Sequence, residues 1–218
     1  MHELYAFGLF VFTSFLAIIN PVGIAPLFVA LTSDLSSKLK FKIALKASIT
    51  AFGILIVFAF AGQMLFSFFN ISASGFRMAG GVIFLIMGYE MLNARLSKIK
   101  YNPDEDEDIT ESEATDIAIT PLGIPMLAGP GAITNAIVLM DDAKNYETKL
   151  VFPLALLAAI IVVFLSLIGS SRLTKYFGDV GNKVLLKIMG LITMVMGFEF
   201  LFAGLKPYVQ DMLMITPN

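Results

Sequence analysis

An interrupted apolar helix is the feature of this sequence best suited to chemistry. The stretch 19–26 (INPVGIAP) lies inside an apolar run from about residue 4 to residue 31, which is long enough to cross a bilayer. Pro21 and Pro26 lack an N–H, and each ring crowds the carbonyl four residues earlier, so the helix should break there. A broken helix at membrane depth is tolerated mainly where it is buried in protein or lines a wet cavity. The stretch therefore predicts either a ligand site or a kink that neighbouring helices satisfy.

A second stretch of the same kind, at about 117–140, carries three prolines and three glycines. A helix break exposes N–H groups at one end, which suit a carboxylate, and free carbonyls at the other, which suit an ammonium group or Na⁺. Two such breaks would fit a small zwitterion such as an amino acid. In the alternative interpretation, the polar side chains of the second stretch only satisfy local backbone or pack helices. The residues predicted to bind the ligand are Asn20, Pro21, Gly23, Gly129, Gly131, Thr134 and Asn135.

Glu90 and Glu199 are the only carboxylates well inside apolar segments. An ionisable group inside a membrane is a functional candidate because its desolvation is costly. Either glutamate is therefore a candidate for coupling transport to H⁺. The alternative is that each side chain simply reaches water or neighbouring backbone near the end of its helix. No cofactor is expected apart from a coupling ion, Na⁺ or H⁺.

The composition excludes several classes of function. The chain is 57% hydrophobic and only 15% charged, which indicates an integral membrane protein. It has no cysteine, and its single histidine is His2, so thiolate or histidine metal sites and Ser-His-Asp catalysis are not expected. A net charge of −2 predicts no nucleic-acid partner. The first 20 residues lack a basic region and a cleavage site, so we expect a retained helix in the lipid bilayer.

Hydropathy predicts an all-α membrane protein with six transmembrane helices, of which helices 1 and 4 are broken. Eleven of the 15 Lys and Arg residues fall on one face, which predicts a multi-pass protein of the cytoplasmic (inner) membrane with both termini outside. The acidic, polar stretch 96–116 is predicted to be a linker on the cytoplasmic face, and 172–182 is predicted to be a loop. The predicted helices run at about 4–31, 43–69, 75–95, 117–140, 150–171 and 183–205.

The two halves of the chain resemble each other at a shift of 109 residues. Gly81, Met87, Gly88 and Glu90 match Gly190, Met196, Gly197 and Glu199, and the same shift places Pro21 on Pro130. A shift of 100 residues also aligns Pro21 with Pro121, but only the shift of 109 serves both pairs of helices. Because each half has an odd number of helices, the second half must be inverted, as in many secondary transporters. The predicted units are a first three-helix repeat, the linker and a second repeat, at 1–95, 96–116 and 117–218.

These motifs together resemble one known family. Asn20-Pro21-Val22-Gly23 with Pro26, and the stretch 125–134 (PMLAGPGAIT), are similar to the MarC family of six-helix inner-membrane proteins, over nearly the whole chain. The resemblance implies broken helices 1 and 4 around a central site for glycine or alanine, with transport driven by an ion gradient, as in SnatA-type small neutral amino acid transporters.

The predicted function is therefore an ion-coupled secondary transporter of small neutral amino acids that works by alternating access around the broken helices, and not an enzyme. A channel or facilitator for another small solute stays open as an alternative, as does a membrane scaffold with no transport role. The missing internal histidine and cysteine argue against an intramembrane enzyme. The oligomeric state stays open.

Overall fold

The computed structural model describes residues 2–32, 35–93, 116 and 118–213, and these ranges contain helices and turns but no strand. The predicted linker 96–116 lies outside the described residues, apart from Asp116. An irregular proline-containing segment, Ala118–Leu127, precedes the fifth helix and has extended backbone at Thr120 and Ile124. The helices are α1 (His2–Ile19), α2 (Pro21–Leu31), α3 (Ser37–Phe68), α4 (Ala73–Leu92), α5 (Pro130–Asp142) and α6 (Tyr146–Met212).

Five helical stretches are long and apolar enough to cross a membrane. Three are α1, α3 and α4, and two lie within α6, at Tyr146–Ser170 and Lys187–Met212, which we name α6a and α6b. The segment Ala118–Leu127 and α5 qualify together as a pair bent by 57°, which gives up to six spans. The prediction of an all-helical membrane protein is confirmed.

The predicted loop at 172–182 is wrong, because α6 is helical from Tyr146 to Met212. The stretch between Ser170 and Lys187 joins two membrane-spanning parts of α6.

The two spans of α6 nevertheless lie side by side. The rings of Phe15 and Phe152 are 6.0 Å apart, while Phe200 and Ile18 flank the same point beside Gly131. A straight helix would separate residues 152 and 200 by about 70 Å. Both spans therefore lie beside the same short stretch of α1, so the chain changes direction between them.

Helix α3 also begins earlier than predicted, because a cap and not the apolar run sets its start. The Ser36 hydroxyl accepts a hydrogen bond from the N–H of Leu39 at 3.3 Å, which satisfies one of the free N–H groups of the first turn. The helix consequently begins six residues before the apolar run.

The main core lies between α1, α3, α5 and α6a. Helix α3 turns a row of mostly small residues toward it, which lets the backbone of its neighbours approach closely. On the same helix, Gly62 lies against the side chain of Ile137 in α5. The row consists of Ala44, Ala47, Ala51, Leu55 and Ala59.

Helices α4 and α6b cross through two reciprocal glycine pairs. A Cβ atom on Gly81 would lie 2.7 Å from the carbonyl oxygen of Gly197, and one on Gly197 would lie 2.9 Å from that of Gly81. Gly88 and Gly190 show the same two distances, 2.7 and 2.9 Å. The two backbones thus approach within a distance that no side chain other than hydrogen permits.

Candidate functional site

Asn20 separates α1 from α2 and holds the ends of both. Its φ of 50° is left-handed, a conformation that asparagine tolerates better than most residues. Its N–H donates to the carbonyl of Leu16 at 3.0 Å, and its side-chain oxygen accepts from the N–H of Gly23 at 3.2 Å. Pro21 supplies no N–H to α1 and is well suited to the first position of α2. The sequence Asn-Pro-x-Gly therefore ends one helix and caps the next.

A cavity of about 40 Å³ lies beside this cap. A water molecule needs at least about 10–15 Å³ of such space, so the cavity has room for a few water molecules or part of a small solute. Most of its wall is apolar, and the side chains of Asn20 and Thr193 supply polar groups. The lining residues are Ile18, Ile19, Asn20, Gly23, Ile24, Phe84, Met91, Met126, Met189, Ile192, Thr193 and Met196.

Two of the seven residues predicted to bind a ligand, Asn20 and Gly23, line this cavity. Pro21 lies next to it, and its carbonyl accepts a hydrogen bond from the Ser166 hydroxyl of α6a at 3.3 Å. The other four lie on α5 or at its start and do not line the cavity.

The second interruption lies at the start of α5. Gly129 precedes Pro130, which is the first helical residue, and no side chain caps this end. The carbonyl of Gly129 accepts from the N–H of Ile133 at 2.9 Å. The buried hydroxyl of Thr134 donates to the carbonyl of Pro130 at 2.8 Å, so this side chain satisfies local backbone.

Asn135 links α5 to α1. Its side-chain oxygen accepts a hydrogen bond from the Ser14 hydroxyl at 3.2 Å. Its Nδ2 is buried and has no hydrogen-bond partner within the part of the chain that the structure describes. A buried donor without a partner is costly, and this amide could therefore donate to a bound polar group.

Two side chains form the partition between the cavity and the second interruption. Phe84 lines the cavity, and its ring lies 3.4 Å from the position of a Cβ on Gly129. Ile18 also lines the cavity, and its side chain lies 3.5 Å from a Cβ placed on Gly131. The cavity and the second interruption are therefore separated by these two side chains.

Neither candidate coupling residue lines the cavity. Glu90 is half-buried on α4, and Glu199 is exposed on α6b. Both carboxylates thus lie outside the cavity wall.

Sequence reasoning missed most of the cavity wall, including four methionines. These apolar residues carry no chemical signal in a sequence that is apolar throughout, and methionine is a common filler of irregular gaps. Thr193 was detectable, because it is a hydroxyl residue in the middle of a predicted span. Its hydroxyl donates to the carbonyl of Met189 at 2.8 Å and lies 3.8 Å from the sulfur of Met91.

Comparison with known proteins places these features in a family. The model of the MarC family integral membrane proteins matches residues 5–209. A UPF0056 membrane protein of Pyrococcus horikoshii is 36% identical over 195 residues, which cover 89% of this chain and 92% of the relative. The UPF0056 membrane protein YhcE of Escherichia coli is 32% identical over 206 residues, which cover 93% of each chain. No solved structure matches this chain.

Proposed function

Since the chain belongs to the MarC family of integral membrane proteins, we propose that it is an ion-coupled secondary transporter of small neutral amino acids such as glycine and alanine. The observation that carries this proposal is the small cavity at the Asn20 interruption. Its size suits a solute of a few heavy atoms. Its polar groups are few, and one of them, Asn20, lies at a helix end, as expected for a site that binds a small zwitterion.

The reciprocal glycine pairs support two inverted repeats, at 1–95 and 117–218. Gly81 and Gly190 match at the shift of 109 residues, as do Gly88 and Gly197. Gly81 lies against Gly197, which is the residue equivalent to Gly88. Gly88 lies against Gly190, which is the residue equivalent to Gly81. Such crossed pairing is the pattern that a two-fold axis between equivalent helices produces. The two interruptions, at equivalent places in the repeats, are then the broken helices of the transporter.

The predicted orientation, with both termini outside the cytoplasmic membrane, indicates the membrane face toward which the cavity opens. Met91 lies near the C-terminal end of α4, and Met189 lies near the start of α6b. Both ends are cytoplasmic in that orientation. The cavity would therefore receive solute from the cytoplasmic side.

Counterflow of labelled glycine and alanine in proteoliposomes tests the proposal. We expect exchange of at least one amino acid, and net uptake that follows an imposed Na⁺ or H⁺ gradient. Glu90→Gln and Glu199→Gln, assayed across pH, test whether either carboxylate carries the coupling. Amino acid transport that is independent of both ion gradients would favour a facilitator or channel. If folded protein transports neither amino acid, the transporter proposal is overturned.

Phe84→Ala should broaden the range of transported solutes. Removing the ring would join the cavity to the space beside Gly129, so larger neutral amino acids such as valine should compete in counterflow about tenfold better. Phe198→Ala, on an exposed ring of α6b, is the matched control and should leave the competition unchanged. An unaltered size limit in folded Phe84→Ala protein would show that Phe84 does not bound the transported solute.

A further inference from the structure

We propose that the cavity has a closed counterpart at the second interruption, and that the contacts Phe84–Phe200 and Gly80–Pro130 keep it shut. When these contacts separate, the counterpart opens to the opposite membrane face and takes the same class of small solute. The identity of the solute rests on the proposed function, whereas the geometry rests on the contacts below.

The counterpart follows from the shift of 109 residues between the repeats. Applied to the α1–α2 wall of the cavity, the shift selects five buried residues, none of which lines the cavity. On the helices that face this wall, α4 and α6b, the shift makes Phe84 and Thr193 equivalent residues. Both of them line the cavity. Thus Phe84 and Thr193 belong to the walls of both the cavity and its counterpart. The five buried residues are Leu127, Ala128, Gly129, Ala132 and Ile133.

The cavity and its counterpart differ in the side chains that occupy them. Beside the open cavity, Thr193 faces Met91, with the hydroxyl 3.8 Å from the sulfur. The equivalent pair on the other side is Phe84 and Phe200, whose ring centroids are 5.5 Å apart. Two large rings thus occupy the space that a threonine and a methionine leave partly empty.

A second contact closes the same side. A Cβ atom on Gly80 would overlap the ring of Pro130, so only glycine lets Pro130 lie against α4. The residue equivalent to Gly80 is Met189, which lines the open cavity. The glycine therefore allows a closure at the second interruption that the methionine side chain prevents at the first.

The absence of cysteine in the sequence makes the proposal testable by single-cysteine labelling. Ile24→Cys and Ile133→Cys occupy equivalent positions, but only Ile24 lines the cavity. In proteoliposomes, an impermeant maleimide should label Ile24→Cys from the face marked by Asn93→Cys. It should label Ile133→Cys more slowly, and from the face marked by Ala73→Cys, at the other end of α4.

Gly80→Ala is incompatible with the closed contact and should shift the protein toward the opposite state. We expect the labelling rate to rise about fivefold or more at Ile133→Cys and to fall at Ile24→Cys. Gly53→Ala is the matched control, because a Cβ there meets no atom within 4 Å. Phe200→Ala should act in the same direction as Gly80→Ala and is measured alongside it. Phe202→Ala, at an exposed ring on the same helix, should have no effect.

The proposal is overturned if Ile133→Cys stays unreactive in both Gly80→Ala and Phe200→Ala, or is labelled from the same face as Ile24→Cys. The labelling uses neither an amino acid nor an ion gradient. If counterflow fails but the two cysteines are labelled from opposite faces, only the assignment of the solute is wrong. If counterflow succeeds but Ile133→Cys stays unreactive, only the closed counterpart is wrong.

Discussion

Asn20→Ala should weaken substrate binding about tenfold or more and also destabilise the protein. Loss of the side chain removes a helix cap, at a cost of roughly 0.5–2 kcal/mol. Alanine in the left-handed conformation adds about 1–2 kcal/mol. The amide is also one of the few polar groups on the cavity wall, and a hydrogen bond to a charged ligand group is worth about 1.5–3 kcal/mol. The concentration dependence of counterflow and the midpoint of thermal unfolding measure the two effects.

Two further variants separate binding from backbone strain. Asn20→Gly keeps the left-handed backbone at a cost of a few tenths of a kcal/mol, so affinity should fall while the unfolding midpoint stays near that of the wild type. Asn70→Ala imposes the same strain at the other non-glycine residue of positive φ within the described chain (φ 51°). It should lower the midpoint and leave affinity unchanged. Wild-type affinity in Asn20→Gly would exclude Asn20 from the binding site.

Gly81→Ala should lower the stability of the folded protein by disrupting the crossing of α4 and α6b. The new methyl group would lie 2.7 Å from the carbonyl oxygen of Gly197, and backbone cannot yield as a flexible side chain can. Overpacking of this kind costs about 1–3 kcal/mol. We expect a lower thermal unfolding midpoint in detergent, and Gly190→Ala, at the equivalent position, should lower it by a similar amount.

Gly53→Ala and Gly169→Ala are the controls for Gly81→Ala. Neither position has an atom within 4 Å of a new Cβ, and alanine is favoured over glycine inside a helix by roughly 0.5–1 kcal/mol. Equal midpoints for Gly81→Ala and Gly53→Ala would mean that α4 and α6b do not cross through their glycines.

The helical membrane architecture was predictable because it depends on local composition. Long apolar runs without water to satisfy the backbone must form helices, and the confirmed family followed from two proline motifs. The start of α3 was less predictable, because the apolar run marks the bilayer and not the helix. The prediction at 172–182 placed the connection between two spans correctly and its secondary structure wrongly, because polarity marks the end of a membrane span and not the end of helical backbone.

The candidate site was predictable only where its chemistry is local. Asn20, Pro21 and Gly23 act on their own backbone, so their types and spacing were informative. The opposite wall is formed by residues such as Met126 and Met189, which reach the cavity through packing between distant helices. A binding role for the seven predicted residues stays a prediction.

The crossing of α4 and α6b also bears on the origin of the chain. If the repeats arose by duplication, the ancestral three-helix unit would have formed this crossing as a homodimer. The two copies of that dimer would have been inserted into the membrane in opposite orientations. A mutation in that dimer would have changed both membrane faces at once. In a fused chain, each face could change alone, and the different pairs Phe84–Phe200 and Thr193–Met91 would be such a change. Fusion would then have preserved the symmetric glycine crossing while allowing the side chains on the two faces to diverge.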